Sequence, residues 1–368
     1  MTYFLTFLTS TLSCQIANRC YKNDRIKKFL LWSMICLAIP STIAGVRSSV
    51  VGYDVELYLN RVFELASHRS SILSYLIEIT ALFPNIGIGF STIIYVIAHI
   101  FKDVHWAYFF INLIPFLFIY IAIYRNKNIQ NKGFVWFVIL LLLYNVSLNL
   151  MRQMIAVSIV YFAQEYVKKK QLGKYTVVII IASLFHDTAI VFITIFFVYW
   201  FIHNKASYVR MLASIALMFG VIFSYSSILN ILVRIGILDS RFITVYSKGF
   251  HFGGIISHYM LFSAIFIFLI NVLLNSIRED PVINFYTVLV IINLFSFMIG
   301  SATSEAYRIG YYFLIFLPEI FDYATRKFEI KLQGFLKLII TGYSIYFWYI
   351  LIIVNKFAAT VPYVSDFL

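Results

Sequence analysis

Between Val135 and Phe201 the chain is almost continuously apolar, and its few polar breaks constrain the fold more than any other feature. One apolar run, Val135 to Val146, leads to Leu148-Asn149-Leu150-Met151-Arg152-Gln153-Met154. A second, Ile155 to Phe162, reaches Lys168-Lys169-Lys170, and a third, Tyr175 to Phe185, meets His186-Asp187 before apolar sequence resumes at Ala189. The runs are continuous, not alternating, so they predict helices and not the strands of an outer-membrane barrel. Two helices therefore meet at an arginine, and two more meet at a histidine. An arginine near hydrocarbon costs at least about 2.5 kcal/mol and should face a polar cavity or the interface.

A chain of 368 residues that is 62% hydrophobic and 12% charged cannot hide its apolar surface from water. The expected class is all-α, a polytopic integral membrane bundle of about 10 to 14 transmembrane or half-membrane helices. Tyr and Phe are abundant, as many interfacial helix ends require. The net charge of +13 is explained by lysines and arginines in short loops that set topology, and no nucleic-acid module accompanies them. Cys14, Cys20 and Cys36 lack metal or CxxC spacing. The first apolar run has neither a basic leader nor an Ala-x-Ala site and reads as a retained helix.

Thr2 to Ile16 is expected as a short first helix, followed by a basic loop from Arg19 to Lys28, the densest in the chain and so cytoplasmic. Phe29 to Gly45 crosses outward to Arg47, and the Arg47–Arg69 loop holds Gly52-Tyr53-Asp54 and an interfacial helix near Val55 to Ala66. Ile72 to Leu82 and Ile86 to Phe101 are joined at Pro84-Asn85. Trp106 to Tyr124, Phe134 to Leu148 and Met154 to Val167 follow. Tyr175 to Phe201 is long for one span, and a break at His186-Asp187-Thr188 places more Lys and Arg on the cytoplasmic side than an unbroken helix does. Downstream runs are Val209 to Ser224, Ile255 to Leu274, Val282 to Met298, Tyr311 to Phe321 and Leu336 to Val354. Ser226–Gly254 and Ser301–Arg308 are expected as outer segments. That topology puts Arg47, Asp54, Arg152, His186, Lys248 and Arg308 on the outer face of one transmembrane domain, residues 1–368.

Arginine is always charged and grips phosphate oxygens with two donors, so several on one face suit a diphosphate. Each could equally snorkel to the interface. His186 can take a proton from a hydroxyl near neutral pH, or the His186-Asp187 pair can simply break a helix with Asp187 as cap. Asp54 is a second candidate base, or a carboxylate paired with Arg47 or Arg61. No Gly-rich phosphate loop, HExxH, GxSxG or paired-cysteine metal motif occurs.

The ordered set Gly45-Val46-Arg47 with Val51-Gly52-Tyr53-Asp54 and Tyr58, Leu150-Met151-Arg152-Gln153-Met154-Ile155-Ala156, Ile181 to Ala189 around His186, and Arg308 with Tyr311-Tyr312-Phe313 resembles the EpsG family. That family of bacterial exopolysaccharide proteins includes Wzy-type O-antigen and capsule polymerases. Tyr53 stands where a smaller polar residue such as Thr is expected, and Asp187 where Ser is more usual, which bears on the basicity of His186. The resemblance implies a metal- and cofactor-independent glycosyltransferase in the bacterial cytoplasmic membrane, active at the periplasmic face. It would move a glycan from its polyprenyl diphosphate onto a new lipid-linked repeat unit. Catalytic roles then fall to Arg152, His186, Arg308 and Asp54, and substrate or diphosphate contacts to Arg47, Lys248, Tyr311 and Gln153. Undecaprenyl-diphosphate-linked oligosaccharides and membrane lipids are the expected partners, with a chain-length regulator and a flippase as candidate protein partners. The rival readings are a polyprenyl-phosphate-dependent transferase of one sugar, a ligase, and a lipid-linked oligosaccharide flippase. Charged residues inside the spans, which a flippase needs, are few; Glu78 and Glu165 stand out.

Overall fold

The computed structural model describes residues 1–204, 207–234, 255–273, 280–299 and 304–367. Its elements are α1 (Thr2–Lys22), α2 (Ile26–Gly45), a π-turn (Val55–Leu59) leading into α3 (Asn60–His68), α4 (Ile72–Leu82) and α5 (Ile88–Phe101). Next come α6 (Val104–Arg125), α7 (Lys132–Ser147), α8 (Met151–Lys168) and α9 (Leu172–Ser183), then a 3-10 turn (Asp187–Phe192) into α10 (Ile193–His203). The remainder is α11 (Tyr208–Arg234), α12 (Ile255–Leu273), α13 (Pro281–Ile299), α14 (Ser304–Leu314), α15 (Leu317–Thr325) and α16 (Ile330–Trp348), which continues as a π-turn (Tyr349–Val354). Among the described residues the only β-contact is an isolated antiparallel bridge between Arg47 and Ser365. Four of the described helices are long and apolar enough to cross a membrane: Ile26–Gly45, Val104–Arg125, Pro281–Met298 and Ile330–Val354. Several others are apolar but shorter, including Ile72–Leu82 and Lys132–Ser147. This is an all-α polytopic membrane protein.

The chain forms two compact units: Met1–Phe162 with Leu184–His186 and Phe321–Leu368, and Ala163–Ser183 with Asp187–Ile320. The first is built around α7, buried at every residue from Lys132 to Ser147 and packed by α1, α6 and α16. Lipid offers no hydrogen bonds, so polar side chains in such a core bond across helices. Trp136 Nε1 donates to Ser10 Oγ at 2.9 Å, Tyr144 Oη to the Pro40 carbonyl at 2.7 Å, and Trp348 Nε1 to Asn145 Oδ1 at 2.9 Å. Pro40, inside α2, has no N–H for the carbonyl one turn back, and Ser10 Oγ donates to that carbonyl, of Cys36, at 2.7 Å.

At the Lys132 end of α7 a buried carboxylate closes the unit. Asp322 accepts the Gln130 N–H at 2.8 Å and Lys337 Nζ at 2.6 Å, and it is 0% exposed. Arg326 donates to the Asn128 carbonyl at 2.6 Å. The α6–α7 connection is thereby tied to α15 and α16. In the second unit Glu319 accepts Tyr286 Oη at 3.0 Å and Gln164 Nε2 at 3.2 Å, and Tyr175 Oη donates to the Phe192 carbonyl at 2.6 Å.

Several boundaries differ from expectation. α1 runs to Lys22 instead of ending at Ile16, because Arg19 and Lys22 in its last turn complement the helix dipole instead of ending the helix. The expected run Tyr311–Phe321 is two helices parted at Ile315-Phe316, since Pro318 lacks the N–H that would continue α14 into α15. Ser304 to Arg308, expected as loop, is the start of α14. The acids of the helices also go beyond expectation. Glu78 is held by Arg69 through contacts of 2.6 and 2.9 Å, and Glu165 faces Lys169 at 2.9 Å, but Asp322 and Glu319 are the buried ones.

Candidate functional site

The run Tyr175–Phe201 breaks after Ser183, and Leu184–His186 form the turn before the 3-10 segment. Asp187 Oδ1 accepts the Thr188 N–H at 2.9 Å, which starts that segment. The turn is received by the α4–α5 connection. Gly87 sits at φ +80°, where a Cβ would lie 2.8 Å from the Phe185 carbonyl oxygen and 2.9 Å from that of Leu184. The Gly89 N–H donates to the Leu184 carbonyl at 2.9 Å. His186 follows, buried at 7% exposure.

The same connection receives Arg152. This residue occupies the first turn of α8, half-buried, and donates through Nη1 to the carbonyl of Asn85. Its guanidinium lies 5.0 Å from the ring centroid of Tyr58, a cation–π placement. Tyr58 Oη donates to Asp54 Oδ2 at 2.9 Å, and the Asp54 N–H donates to Asn149 Oδ1 at 3.1 Å. Burial, reinforced by the Asp54 charge, pushes the Tyr58 phenol far above its ordinary value, so it stays protonated and keeps donating. Asp54, Tyr58, Asn149 and Arg152 thus close on one another at one end of the first unit. The Pro84–Gly87 connection links them to the His186 turn.

Arg47 is placed differently from expectation. It is 1% exposed and turns beneath the α7–α8 turn. Nη1 donates to the Leu148 carbonyl at 2.8 Å, Nη2 approaches Met151 Sδ at 3.6 Å, and the guanidinium lies 5.3 Å from the Tyr108 ring centroid. Burial lowers its basicity, but arginine begins so far above neutrality that the charge is retained. Gln153 is buried in α8 at 3% exposure. Arg308, half-buried in α14, and the buried Tyr311, whose hydroxyl meets that of Tyr307, belong to the second unit. Lys248 lies outside the described residues.

Tyr58 was visible in the sequence as part of the loop pattern, and Pro84-Asn85 as a helix junction. Asn149, Gly87 and the segment Phe357–Phe367 carried no signal of their own, because their contribution is made through backbone and amide contacts to distant segments. Among the described residues no three His, Cys, Asp or Glu side chains gather as a metal site would require. An open groove of about 650 Å³ between α1 and α2 is lined by apolar side chains and threonines, with no ionisable side chain to hold a diphosphate.

The arrangement offers an anchored guanidinium, a carboxylate and an imidazole-bearing turn, the parts needed to hold an anionic leaving group and move a proton. No curated protein and no solved structure matches the chain. The EpsG family model matches residues 5–365, a span that takes in every residue of this cluster, and the chain belongs to the EpsG family.

Proposed function

We propose that this membrane protein of polysaccharide biosynthesis is a polymerase acting on polyprenyl-diphosphate-linked glycans at the outer face of the bacterial cytoplasmic membrane. The acceptor hydroxyl of a new lipid-linked repeat unit attacks the anomeric carbon of the growing glycan. The bond from that carbon to the diphosphate oxygen breaks, the diphosphate leaves with the electron pair, and the hydroxyl proton passes to a base. Arg152 meets the charge growing on the leaving diphosphate, where a guanidinium serves best. His186 is assigned the base, since imidazole can accept a proton near neutral pH, and Asp54 is the reserve. Arg308 is assigned a diphosphate contact, to be tested by its own replacement.

One observation carries this reading: Arg152 is stacked on the tyrosine that hydrogen-bonds Asp54, and it is bonded to the connection that receives the His186 turn. The test is reconstitution in liposomes with lipid-linked oligosaccharide. A ladder of chain lengths, lost in Arg152→Ala with single units left on the carrier, is expected. Products longer by one sugar only, or a ladder undiminished in Arg152→Ala, overturn the reading.

A further inference from the structure

The segment Phe357–Phe367 reaches back from α16 to the loop that carries Arg47 and Asp54. The Ser48 N–H donates to the Val364 carbonyl at 2.9 Å and the Asp366 N–H to the Val46 carbonyl at 3.3 Å, framing the Arg47–Ser365 bridge. Ser365 Oγ donates to the Val46 carbonyl at 2.8 Å, and the Gly52 N–H to the Ala359 carbonyl at 2.9 Å. The strap is itself pinned to the helices. Tyr3 Oη donates to the Thr360 carbonyl at 2.7 Å, Asn145 Nδ2 to Thr360 Oγ1 at 3.0 Å, and Tyr363 Oη to the Ile43 carbonyl at 2.9 Å. His105 touches both parties, with Nδ1 2.8 Å from the Gly45 carbonyl and Nε2 3.6 Å from Asp366 Oδ2. Three non-glycine residues before and within the strap, Lys356, Ala358 and Ala359, have φ of 49°, 65° and 51°. L-residues adopt that left-handed backbone only when the surrounding contacts hold them there.

The clamped loop in turn clamps the α7–α8 turn. Arg47 bonds Leu148 and Met151; Gly52, at φ +97°, lies so close to Leu148 that a Cβ would stand 2.8 Å from its carbonyl oxygen; the Asp54 N–H holds Asn149. The next residue along the chain after Met151 is Arg152. Arg47 has no carboxylate partner among the described residues, and its Nε has no hydrogen-bond partner. A buried charge left on carbonyl, sulfur and ring is an expensive brace for a turn, and the loop that carries it is held by the bonds of the strap.

We propose that Phe357–Phe367 is a working part of the site: it fixes the Arg47–Asp54 loop, and Arg47 acts as a positioning residue that sets Arg152 through the Leu148–Met151 turn. Arg47 does not touch substrate. The kinetic consequence rests on the polymerase reading; the positional one does not.

Two measurements on the full chain in detergent or liposomes separate these. First, in detergent, where both faces are open, Arg152→Cys is labelled with a maleimide, alone and with Arg47→Lys or with Tyr3→Phe plus Ser365→Ala. Labelling at 152 should change by about threefold or more while an exposed control, Lys331→Cys at the distant end of the unit, is unchanged; a global loss of fold would alter both. An unchanged rate at 152 overturns the proposal. Second, in the transfer assay Arg47→Lys should lower kcat by about tenfold with KM nearly constant, and add little in an Arg152→Lys background, because both act on one group. A raised KM, or a defect that multiplies fully in that background, makes Arg47 a substrate contact and overturns it. If the unsubstituted protein transfers no glycan, the polymerase reading fails and the labelling result still decides the strap. Should Arg47→Lys not fold, the Tyr3→Phe, Ser365→Ala pair leaves the buried guanidinium in place and carries both measurements.

Discussion

Lys337 and Arg47, near opposite ends of α7, are held in opposite ways, while the buried Lys132 rests on the Ile123 and Ile129 carbonyls at 2.9 and 3.4 Å. At the Lys132 end, Lys337 is answered at 2.6 Å by Asp322, which also takes the Gln130 N–H. At the Ser147 end, Arg47 rests on a carbonyl, a thioether and a tyrosine ring, with Arg152 stacked on another tyrosine nearby. A cation closed by its own carboxylate has used its field on the fold. A guanidinium braced by dipoles and rings contributes positive potential to its surroundings, which helps a site that takes an anion. The Asp322–Lys337 pair is therefore read as architecture, and the other end, where Arg47 lies close to the Arg152, Tyr58 and Asp54 cluster, as machinery, and the difference can be broken by substitution at each end.

The largest effect is expected at Arg152. Its replacement by Ala should lower transfer by about a hundred- to a thousandfold, the loss typical of removing one group that stabilises developing charge, with no comparable loss of thermal stability. At the other end Asp322→Asn should do the reverse. It leaves the half-buried Lys337 without its counter-charge at a cost of about 3 kcal/mol, seen as a lowered unfolding midpoint in detergent, with activity per folded molecule retained. Asp322→Asn combined with Lys337→Met keeps an acceptor for Gln130 and removes the stranded charge, so most of that stability should return. A stable, inactive Asp322→Asn would erase the distinction between the ends.

The helices were legible because continuous apolar runs leave the backbone no other choice. So was the break at His186, where polar residues interrupt the one run too long for a single span. Arg152 stood out because a charge there needs a reason. What could not be read was long-range. Asp322 sits in an apolar stretch and is explained only by Lys337 and the Gln130 backbone, which sequence does not bring near it. The charge and position of Arg47 are visible in sequence, whereas the direction of its side chain is set by Leu148 and Met151, which sequence does not bring near it. Pro318 was visible, but its effect, parting α14 from α15, depends on register within one apolar run.

A smaller change tests how tightly the machinery end is built. Gly52→Ala puts an L-residue at φ +97° with its Cβ 2.8 Å from the Leu148 oxygen. The left-handed backbone alone costs about 1–2 kcal/mol, so a lowered midpoint is expected together with a transfer defect smaller than that of Arg152→Ala. Wild-type kinetics in this variant would mean that the loop is not what holds the turn.

The finest test is Tyr58. Replacing it with Phe keeps the ring under Arg152 and deletes only the hydroxyl, which donates to Asp54 at 2.9 Å and also meets Arg152. If the ring is what seats the guanidinium, Tyr58→Phe should lose about 1 kcal/mol in kcat/KM, the worth of one hydrogen bond. Tyr58→Leu, which removes ring and hydroxyl together, should lose more, by the cation–π contribution of a partly desolvated pair, about 1–2 kcal/mol. Equal losses in the two variants would put the function of Tyr58 in its hydroxyl. Its contacts with Asp54 and Arg152, and not the face of the ring, would then be what seats the guanidinium.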